Sequence, residues 1–344
     1  MKEGNEERLY LRNLSFYHEN RISLLRERRV TALDRREKRI TLDDGRHLDW
    51  DILVLATGTR IASPPIKGVS LPGVHALRSI EDARRLRSEM ATMRRAVVIG
   101  GGFIGLEFAA VAREAGIEVS IVESAGRLMA RAISPQMSTI VQQIHCEHGV
   151  SIFLNRFAAS VDAQSDGRVC GVSLSDGCFL PADCVILATG VIPNTELAEA
   201  AGLSVRNGIV TDRYLTTADP TIHAVGDCAA FPDPFGPTLI RLESVQAAVD
   251  HGRCLAEVIV GRPAPYAALP WFWSDQGKYK LQIAGLAAPD DTARLTQTEK
   301  GGQVVVRSRN GLVTAVETLN APAVHMSARK LLADGPARDI ALSI

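Results

Sequence analysis

The fold is decided by residues 95–123, which read RAVVIGGGFIGLEFAAVAREAGIEVSIVE. A β-branched run leads into Gly100, further glycines follow at Gly102 and Gly105, and apolar residues then recur with helical spacing. A glycine ends the predicted helix, and a second β-branched run ends at Glu123. This order predicts a βαβ unit that binds a dinucleotide, with the diphosphate at the helix N-terminus.

Each position in this unit has a physical task. Gly100 permits the tight turn, Gly102 lets the backbone approach the diphosphate, and Gly105 allows the helix to pack closely on the strand. Glu123 follows Gly102 by 21 residues and can accept hydrogen bonds from the ribose hydroxyls of the adenosine half. Because its charge would repel a 2′-phosphate, the expected nucleotide is NAD(H).

Two arginines leave the use of NADPH open. Arg127 and Arg131 follow Glu123 closely, and either could reach a phosphate. The structural alternative for Glu123 is a solvated carboxylate at the end of a strand.

The chain also contains an internal repeat. Residues 44–58 and 176–190 share the pattern DG-x-x-L-x-x-D followed by an apolar run ending in Ala-Thr-Gly, at a constant offset of 132 residues. In each copy we expect an Asp-Gly turn between two short strands, then a strand buried in a parallel sheet. Gly190 lies 90 residues after Gly100, so the first copy's glycine turn would lie about 32 residues before Met1. The repeat therefore predicts that the first βαβ of the first domain is missing; the alternative is a shorter, different first sheet.

Charge and composition argue against several functional classes. The 344 residues include 39 Lys plus Arg and 39 Asp plus Glu, so no overall field would draw the chain to nucleic acid or an anionic membrane. The six cysteines form no C-x-x-C pair and no zinc-like grouping with the eight histidines, so we expect no metal, and reduced, mostly buried thiols in a cytoplasmic protein. The N-terminus lacks a signal-peptide pattern, and the most apolar stretch, 96–112, is too short and too polar for a membrane span.

Taken together, the motifs resemble those of the FAD-dependent pyridine nucleotide-disulfide oxidoreductases, and within them the ferredoxin, rubredoxin and putidaredoxin reductase group. The resemblance runs over nearly the whole chain. Its most discriminating part is PWFWSDQ at 270–276. The other matching stretches are ATG at 56–58, GGGFIGLE at 100–107, ATGVIPN at 188–194, AVGDC at 224–228 and RLESV at 241–245.

The resemblance implies FAD as a second cofactor and gives roles to particular residues. Asp227 would accept a hydrogen bond from the ribityl chain of FAD, Glu107 would lie near the nicotinamide, and Trp271 and Trp273 would lie near the flavin. No catalytic acid, base or nucleophile is implied. The implied FAD contacts are Val30, Ala56, Thr57, Gly58, Arg78, Gly226, Asp227, Glu243, Val245 and Trp271. The implied NAD contacts are Gly100, Gly102, Ile104, Gly105, Glu107, Glu123, Arg131 and Gly190.

Structural alternatives remain for several of these residues. Core packing would equally account for Val30 and Val245, and a surface cation would account for Arg78. Either tryptophan could instead serve core or interface packing.

The implied fold class is α/β, with two Rossmann-like three-layer domains, one binding FAD and one binding NAD, and a C-terminal α+β domain. Residues 1–85 with 210–269 would form the FAD domain without its first βαβ. Residues 86–209 would form the NAD domain, and 270–344 the C-terminal domain that completes the flavin pocket.

The implied activity is that of an NADH:ferredoxin or NADH:rubredoxin reductase. Hydride would pass from NADH to FAD, and single electrons would then pass to a small iron-sulfur protein that serves an oxygenase. One alternative is a truncated NAD-binding remnant without flavin activity. Another is a different NADH flavoenzyme, such as a nitrite reductase flavin module. The acceptor, the final oxygenase and the oligomeric state cannot be read from the sequence.

Overall fold

Strands and helices follow the predicted order in the computed structural model, which describes residue 6 and residues 9–338. The helices are α1 (Leu14–Glu19), α2 (Ile80–Met90), α3 (Phe103–Glu114), α4 (Pro135–Glu147), α5 (Glu196–Ala200), α6 (Val245–Ile259) and α7 (Pro322–Leu331). The strands up to residue 200 are β1 (Val30–Asp34), β2 (Arg39–Leu42), β3 (His47–Asp49), β4 (Leu53–Leu55), β5 (Thr59–Ile61), β6 (Val74–Ala76), β7 (Arg95–Ile99), β8 (Glu118–Glu123), β9 (Val150–Leu154), β10 (Ala158–Ala163), β11 (Val169–Leu174), β12 (Phe179–Pro181), β13 (Cys184–Leu187) and β14 (Val191–Pro193). The later strands are β15 (Ile209–Val210), β16 (Ile222–Ala224), β17 (Ala229–Pro232), β18 (Leu239–Ile240), β19 (Trp271–Gln276), β20 (Tyr279–Gly285), β21 (Thr292–Gln297), β22 (Gln303–Arg309), β23 (Leu312–Leu319) and β24 (Ala337–Arg338).

The predicted βαβ unit is β7, α3 and β8, and it lies at the centre of a five-stranded parallel sheet in the order β6-β13-β7-β8-β9. Its strands are buried on both faces. Val98 and Ile121 pack on the helical side, whereas Val97 and Val122 pack on the opposite side. This explains the continuous apolar runs in the sequence, since neither face meets water.

One layer covers each face of this sheet. Helices α3 and α4 contribute Leu106, Phe108 and Met137 to the core on one face. The antiparallel sheet β10-β11-β12 covers the other face through Val161 and Val172. The middle of the chain is therefore a three-layer α/β unit, called the NAD unit below.

The two repeat copies fold alike in their local elements. The Asp-Gly turns separate β2 from β3 and β11 from β12, and the apolar runs become β4 and β13. The copies differ in what flanks the last strand. β13 lies between β6 and β7, whereas β4 pairs in parallel with β16, and Val54 in its middle is 38% exposed. Around β4 and β16, Leu55, Ile209 and Ile222 form a separate core, called the first unit below.

Strand β6 and helix α2 precede residue 86 but pack with the NAD unit. β6 pairs with β13 in the five-stranded sheet, and Leu86 of α2 is fully buried in the core beside α3. Ser79 caps α2 in a capping box with Asp82, which fixes where this helix begins. A boundary at residue 86 would therefore separate β6 from its sheet.

The last part of the chain is an antiparallel sheet covered by one helix. Its strand order is β19-β20-β23-β22-β21, with β24 also paired to β23. Helix α7 packs on it through Val324 and Ala328. This is the α+β arrangement expected for the C-terminal domain. In the part of the chain that the structure describes, every helix is too short or too polar to cross a membrane.

Candidate active site

The glycine turn between β7 and α3 is tightly packed against the protein on one side and has free space on the other. A Cβ on Gly100, where φ is +112°, would lie 2.3 Å from the carbonyl oxygen of Ala188, and one on Gly105 would lie 2.3 Å from the carbonyl oxygen of Gly100. A Cβ on Gly102, the residue before α3, would meet no atom within 4 Å. The backbone is therefore packed where β7, β13 and α3 meet, and free where a diphosphate would approach the helix N-terminus.

Glu123 lies beside this turn and is held by the backbone. Its Oε2 accepts the backbone N–H of Gly101 at 2.6 Å, and its Oε1 accepts that of Ala125 at 2.7 Å. Oε1 also accepts the Ser124 hydroxyl at 3.2 Å. Since each carboxylate oxygen has about two acceptor positions, Oε2 can still accept a ribose hydroxyl. The side chain is therefore oriented before a nucleotide binds.

The two arginines after Glu123 have different surroundings. The guanidinium of Arg127 donates to the carbonyl oxygens of Ile133 and Ala130 at 2.7 and 2.6 Å, so it stabilises the loop in which it lies. Arg131 is exposed, and its guanidinium would lie 3.3 Å from a Cβ built on Gly190. Of the two, Arg131 is the cation that faces the nucleotide cleft. Ile104, in the first turn of α3, is 37% exposed.

Each Ala-Thr-Gly segment is bonded to the stretch that follows the other one. Strands β5 and β14, which follow them, pair antiparallel, and the N–H of Asn194 donates to the carbonyl of Gly58 at 2.9 Å. The amide of Asn194 also donates to the carbonyl of Thr57 at 2.8 Å, while the Thr57 hydroxyl donates to the Asn194 carbonyl. In return, the N–H of Ala62 donates to the carbonyl of Gly190 at 2.9 Å. The loop after β4, in which Ala56 is exposed, is thus bonded to the residue that follows β14, and the loop after β13 is bonded to the residue that follows β5.

A second cluster of polar groups lies where β16 ends. The carboxylate of Asp227 is 3.8 Å from the guanidinium of Arg78 and accepts the Thr59 hydroxyl at 3.4 Å. Arg78 also donates to the Thr59 carbonyl at 3.0 Å, and Arg241 donates to the Asp227 carbonyl at 3.2 Å. Arg241 is paired with Glu243 at 2.8 Å, but its buried Nε has no partner in the described residues. The cluster holds a carboxylate and an unsatisfied donor, the groups that a polyhydroxyl chain needs.

Helix α6 begins beside this cluster. Ser244 caps it, and Val245 is 63% exposed at its first position. The next residue, Gln246, accepts the backbone N–H of Trp271 at 3.3 Å. An apolar side chain that is exposed next to a tryptophan strand suits a flat aromatic ligand.

The structure therefore brings together most of the expected flavin-side residues. Thr57 and Gly58 are connected to the cluster through the next strand, β5. The contacts described above join the other residues, which are Gly226, Asp227, Arg78, Glu243, Val245 and Trp271. Val30 is an exception. It begins β1 in the sheet β1-β2-β3, where it lies opposite Leu42, and the hydrogen bonds and ion pairs of the cluster come from other elements. The residues fit FAD at its ribityl and ring end.

His251 in α6 supports this cluster and was not anticipated from the sequence. It is fully buried, and its Nδ1 accepts the backbone N–H of Gly226 at 3.1 Å. Phe231 and Tyr266 contact its ring edge-on at 4.6 Å between centroids. Burial lowers the pKa of His251 to about 4, so the ring is neutral near pH 7 and can accept this bond.

Strand β19 presents different chemistry on its two sides. Trp271 and Trp273 stack on each other at 5.6 Å, and the guanidinium of Arg329 lies 4.0 Å from the Trp271 ring centroid. On the other side Phe272 packs on Phe103 of α3 at 4.6 Å. The two tryptophan side chains therefore lie on one side of β19, and the other side of the strand packs against the NAD unit.

Glu107 lies on the face of α3 that meets β19. Its carboxylate accepts the hydroxyl of Ser274. Burial raises the pKa of Glu107, hydrogen bonds from the Ser274 hydroxyl and the Asp275 backbone lower it, and the charge of Asp275 raises it by a smaller amount. Ser274 is within the segment PWFWSDQ, but nothing in the sequence pointed to this contact.

Comparisons with known proteins identify the family. Residues 2–252 match the pyridine nucleotide-disulphide oxidoreductase family, and residues 271–342 match the C-terminal domain of the reductases. The chain belongs to the pyridine nucleotide-disulphide oxidoreductases. This confirms the resemblance that the motifs indicated, the α/β class and the separate C-terminal domain. FAD and NAD(H) are the cofactors of this family.

Two curated relatives cover almost all of this oxidoreductase. Rhodocoxin reductase of Rhodococcus erythropolis is 45% identical over 96% of this chain and 77% of its own length. Putidaredoxin reductase of Pseudomonas putida is 38% identical over 95% of this chain and 79% of its own length. The chain thus spans about four fifths of these relatives.

Solved structures share the fold closely. A ferredoxin reductase from Rhodopseudomonas palustris superimposes with a TM-score of 0.93 at 40% identity, covering 96% of this chain and 82% of that one. A covalent complex of putidaredoxin reductase with putidaredoxin gives a TM-score of 0.92 at 37% identity, covering 96% and 81%.

Proposed function

We propose that this oxidoreductase is an FAD-dependent NADH reductase that passes single electrons to a small iron-sulfur protein, a ferredoxin or rubredoxin, which serves an oxygenase. Several relatives carry names of this kind, including the ferredoxin–NAD(+) reductase component of an anthranilate 1,2-dioxygenase system and a rubredoxin–NAD(+) reductase. The observation that carries the proposal is the β5–β14 contact. It pairs the strand that follows Gly58 on the flavin side with the strand that follows Gly190 on the nucleotide side, so the two halves of the site are held together, as hydride transfer between two cofactors requires.

The chain's own residues hold and orient the two cofactors. We assign the diphosphate of NADH to the open backbone at Gly102 and the adenosine ribose to Glu123. Gly190 and Arg131 line the cleft towards the nicotinamide, and Glu107 lies near its ring. The preformed carboxylate at Glu123 favours NADH over NADPH through charge repulsion.

On the flavin side we assign the ribityl chain to Asp227. Arg78 and Thr59 hold this carboxylate, and His251 holds the Gly226 backbone next to it. Val245 and Trp271 line the ring. Bound FAD supplies the chemistry of accepting two electrons and giving them up one at a time.

We also propose a domain division that differs from the sequence-based one. The NAD unit begins ahead of β6, because β6 and α2 pack with its sheet. The first unit contains the earlier residues together with the stretch from β15 to α6, and the C-terminal domain begins at Trp271. We place the protein in the cytoplasm, because its six cysteines are free thiols; two of them, Cys184 and Cys228, are buried.

The test is the visible absorption spectrum of the protein with added FAD, before and after NADH. A retained flavin band that bleaches on NADH addition supports a reductase, and turnover with a ferredoxin or a rubredoxin as acceptor then names the partner class. NADH binding without retained flavin would support the nucleotide-binding remnant instead. Bleaching with no transfer to either iron-sulfur protein would favour a different flavoenzyme.

A further inference from the structure

A series of buried hydrogen bonds joins the NAD unit to the C-terminal domain. The Ser274 hydroxyl donates to Glu107, and the Gln276 amide donates to Ser274 Oγ at 2.7 Å. The Gln276 Oε1 lies 2.9 Å from Nε2 of His145 in α4. Ser274, Gln276 and His145 are only 1%, 3% and 2% exposed. These four side chains are called the cross-domain chain.

The donors of the cross-domain chain all point towards Glu107. An amide oxygen only accepts, so Nε2 of His145 carries the hydrogen that it shares with Gln276. The Gln276 amide fills one lone pair of Ser274 Oγ, and an ionised Glu107 only accepts, so the Ser274 hydrogen is directed to the carboxylate. Bonds aligned in one direction polarise one another, so the arrangement stabilises an ionised Glu107 against the cost of its burial.

Other contacts already hold the domains together. Leu281, Val305 and Leu319 of the C-terminal sheet lie in the same apolar core as α3 and α4. Buried polar groups add little net stability and are costly when one partner is lost. An apolar pair in place of Glu107 and Ser274 would serve packing alone equally well, so the cross-domain chain calls for another role.

We propose that Ser274, supported by Gln276 and His145, is a positioning residue that fixes an ionised Glu107 at the nicotinamide end of the cleft. This rests on the proposed function, in which Glu107 lies near that ring. A fixed anion there attracts the positively charged ring of NAD⁺ more than the neutral ring of NADH. Through Ser274, the C-terminal domain thereby sets how tightly the oxidised nucleotide is held.

The test compares binding of NAD⁺ and of ADP-ribose, which lacks the nicotinamide, by calorimetry with FAD in excess. In Ser274→Ala we expect the preference for NAD⁺ over ADP-ribose to fall about tenfold, the loss of one bond to a charged group. ADP-ribose itself should bind as before. Ser274→Thr keeps the hydroxyl and should restore the preference, and Ser327→Ala, an exposed serine of the same domain, should change nothing.

A second comparison uses the carboxylate itself. Glu107→Gln should lose the same preference, and adding Ser274→Ala to it should have little further effect. The proposal is overturned if Ser274→Ala keeps the wild-type preference, weakens both ligands equally, or behaves like Ser274→Thr. A wild-type protein with no preference for NAD⁺ would also overturn it. Failure of the proposed function would look different, because wild-type protein would then bind no ADP-ribose or retain no flavin that NADH reduces.

Discussion

Glu317 in β23 completes the cap of α4, a helix in another domain: it accepts the backbone N–H of Ser134 at 2.8 Å and the Ser134 hydroxyl at 2.6 Å. Ser134 in turn accepts the N–H of Met137, as an N-cap residue does. The guanidinium of Arg307 donates to the same carboxylate at 3.1 Å. Glu317 and Ser134 are 1% and 0% exposed, so the start of α4 depends on the C-terminal sheet.

Glu317→Ala should destabilise the protein strongly. The substitution leaves the buried Arg307 without its counter-charge and Ser134 without its acceptor, which costs about 3–5 kcal/mol of unfolding free energy. Urea unfolding followed by circular dichroism measures it. Glu299→Ala, at an exposed turn of the same sheet, should stay within about 0.5 kcal/mol of wild type. Equal midpoints for the two variants would show that the buried contact contributes nothing.

Two glycines of the nucleotide turn should separate folding from binding. Gly105→Ala places a methyl group 2.3 Å from a backbone oxygen, so we expect a loss of about 1–3 kcal/mol in stability. Gly102→Ala meets open space in the protein, so its stability should be unchanged. Its methyl group would occupy the diphosphate position, and NADH should bind about tenfold more weakly or worse. Thermal unfolding and NADH titration check both; wild-type NADH binding by Gly102→Ala would show that the diphosphate lies elsewhere.

Glu123→Ala should weaken NADH binding by about 1.5–3 kcal/mol, the value of hydrogen bonds to a charged group. The measurement is the Michaelis constant or dissociation constant for NADH. Glu118→Ala, at the exposed start of the same strand, is the matched control and should leave it unchanged. Unchanged NADH binding in Glu123→Ala would remove this residue from the site.

His325 should make the protein sensitive to acid. It is 1% exposed, neither ring nitrogen has a partner in the described residues, and burial together with Arg329 lowers its pKa to about 4. Between pH 6.5 and 4 the unfolded chain binds a proton that the folded chain does not, so stability falls as pH falls through this range and is complete above it. The loss from this residue is at most about 3 kcal/mol.

His325→Leu should therefore flatten the fall in the urea midpoint between pH 6.5 and 4 without lowering stability at pH 7. His18→Gln, on the exposed helix α1, should leave the wild-type pH dependence in place. A variant at 325 that loses stability with acid as steeply as wild type would contradict the assignment.

The sequence predicted what local signals encode. The β-branched strands, the glycine turn and the helical spacing fix β7, α3 and β8, because each signal lies within a few residues of the element it defines. The repeat likewise predicted the Asp-Gly turns and β13. Short strands could not be predicted from such local signals. β6 has three residues, too few for a periodic pattern, so its membership of the NAD unit was visible only in the structure.

The contacts between domains were beyond the sequence for another reason. Glu107 and Ser274 are 167 residues apart, and His251 supports Gly226 from a different element. Nothing in a linear pattern specifies which buried polar groups will face each other after folding. The burial pattern of α6 shows the same limit, because its apolar Ala248 is exposed whereas its polar Gln246 and His251 are buried.

The two-sided strand β19 also restricts how this protein can diverge. Side chains alternate along a strand, so the loss or gain of one residue after Pro270 would turn every later side chain to the opposite side. The tryptophan at 273 would be carried against α3, and the hydroxyl of Ser274 would leave Glu107. Insertions inside β19 are therefore excluded and must fall outside it, as in the turn at 277–278, so the aromatic wall and the domain contact are inherited together.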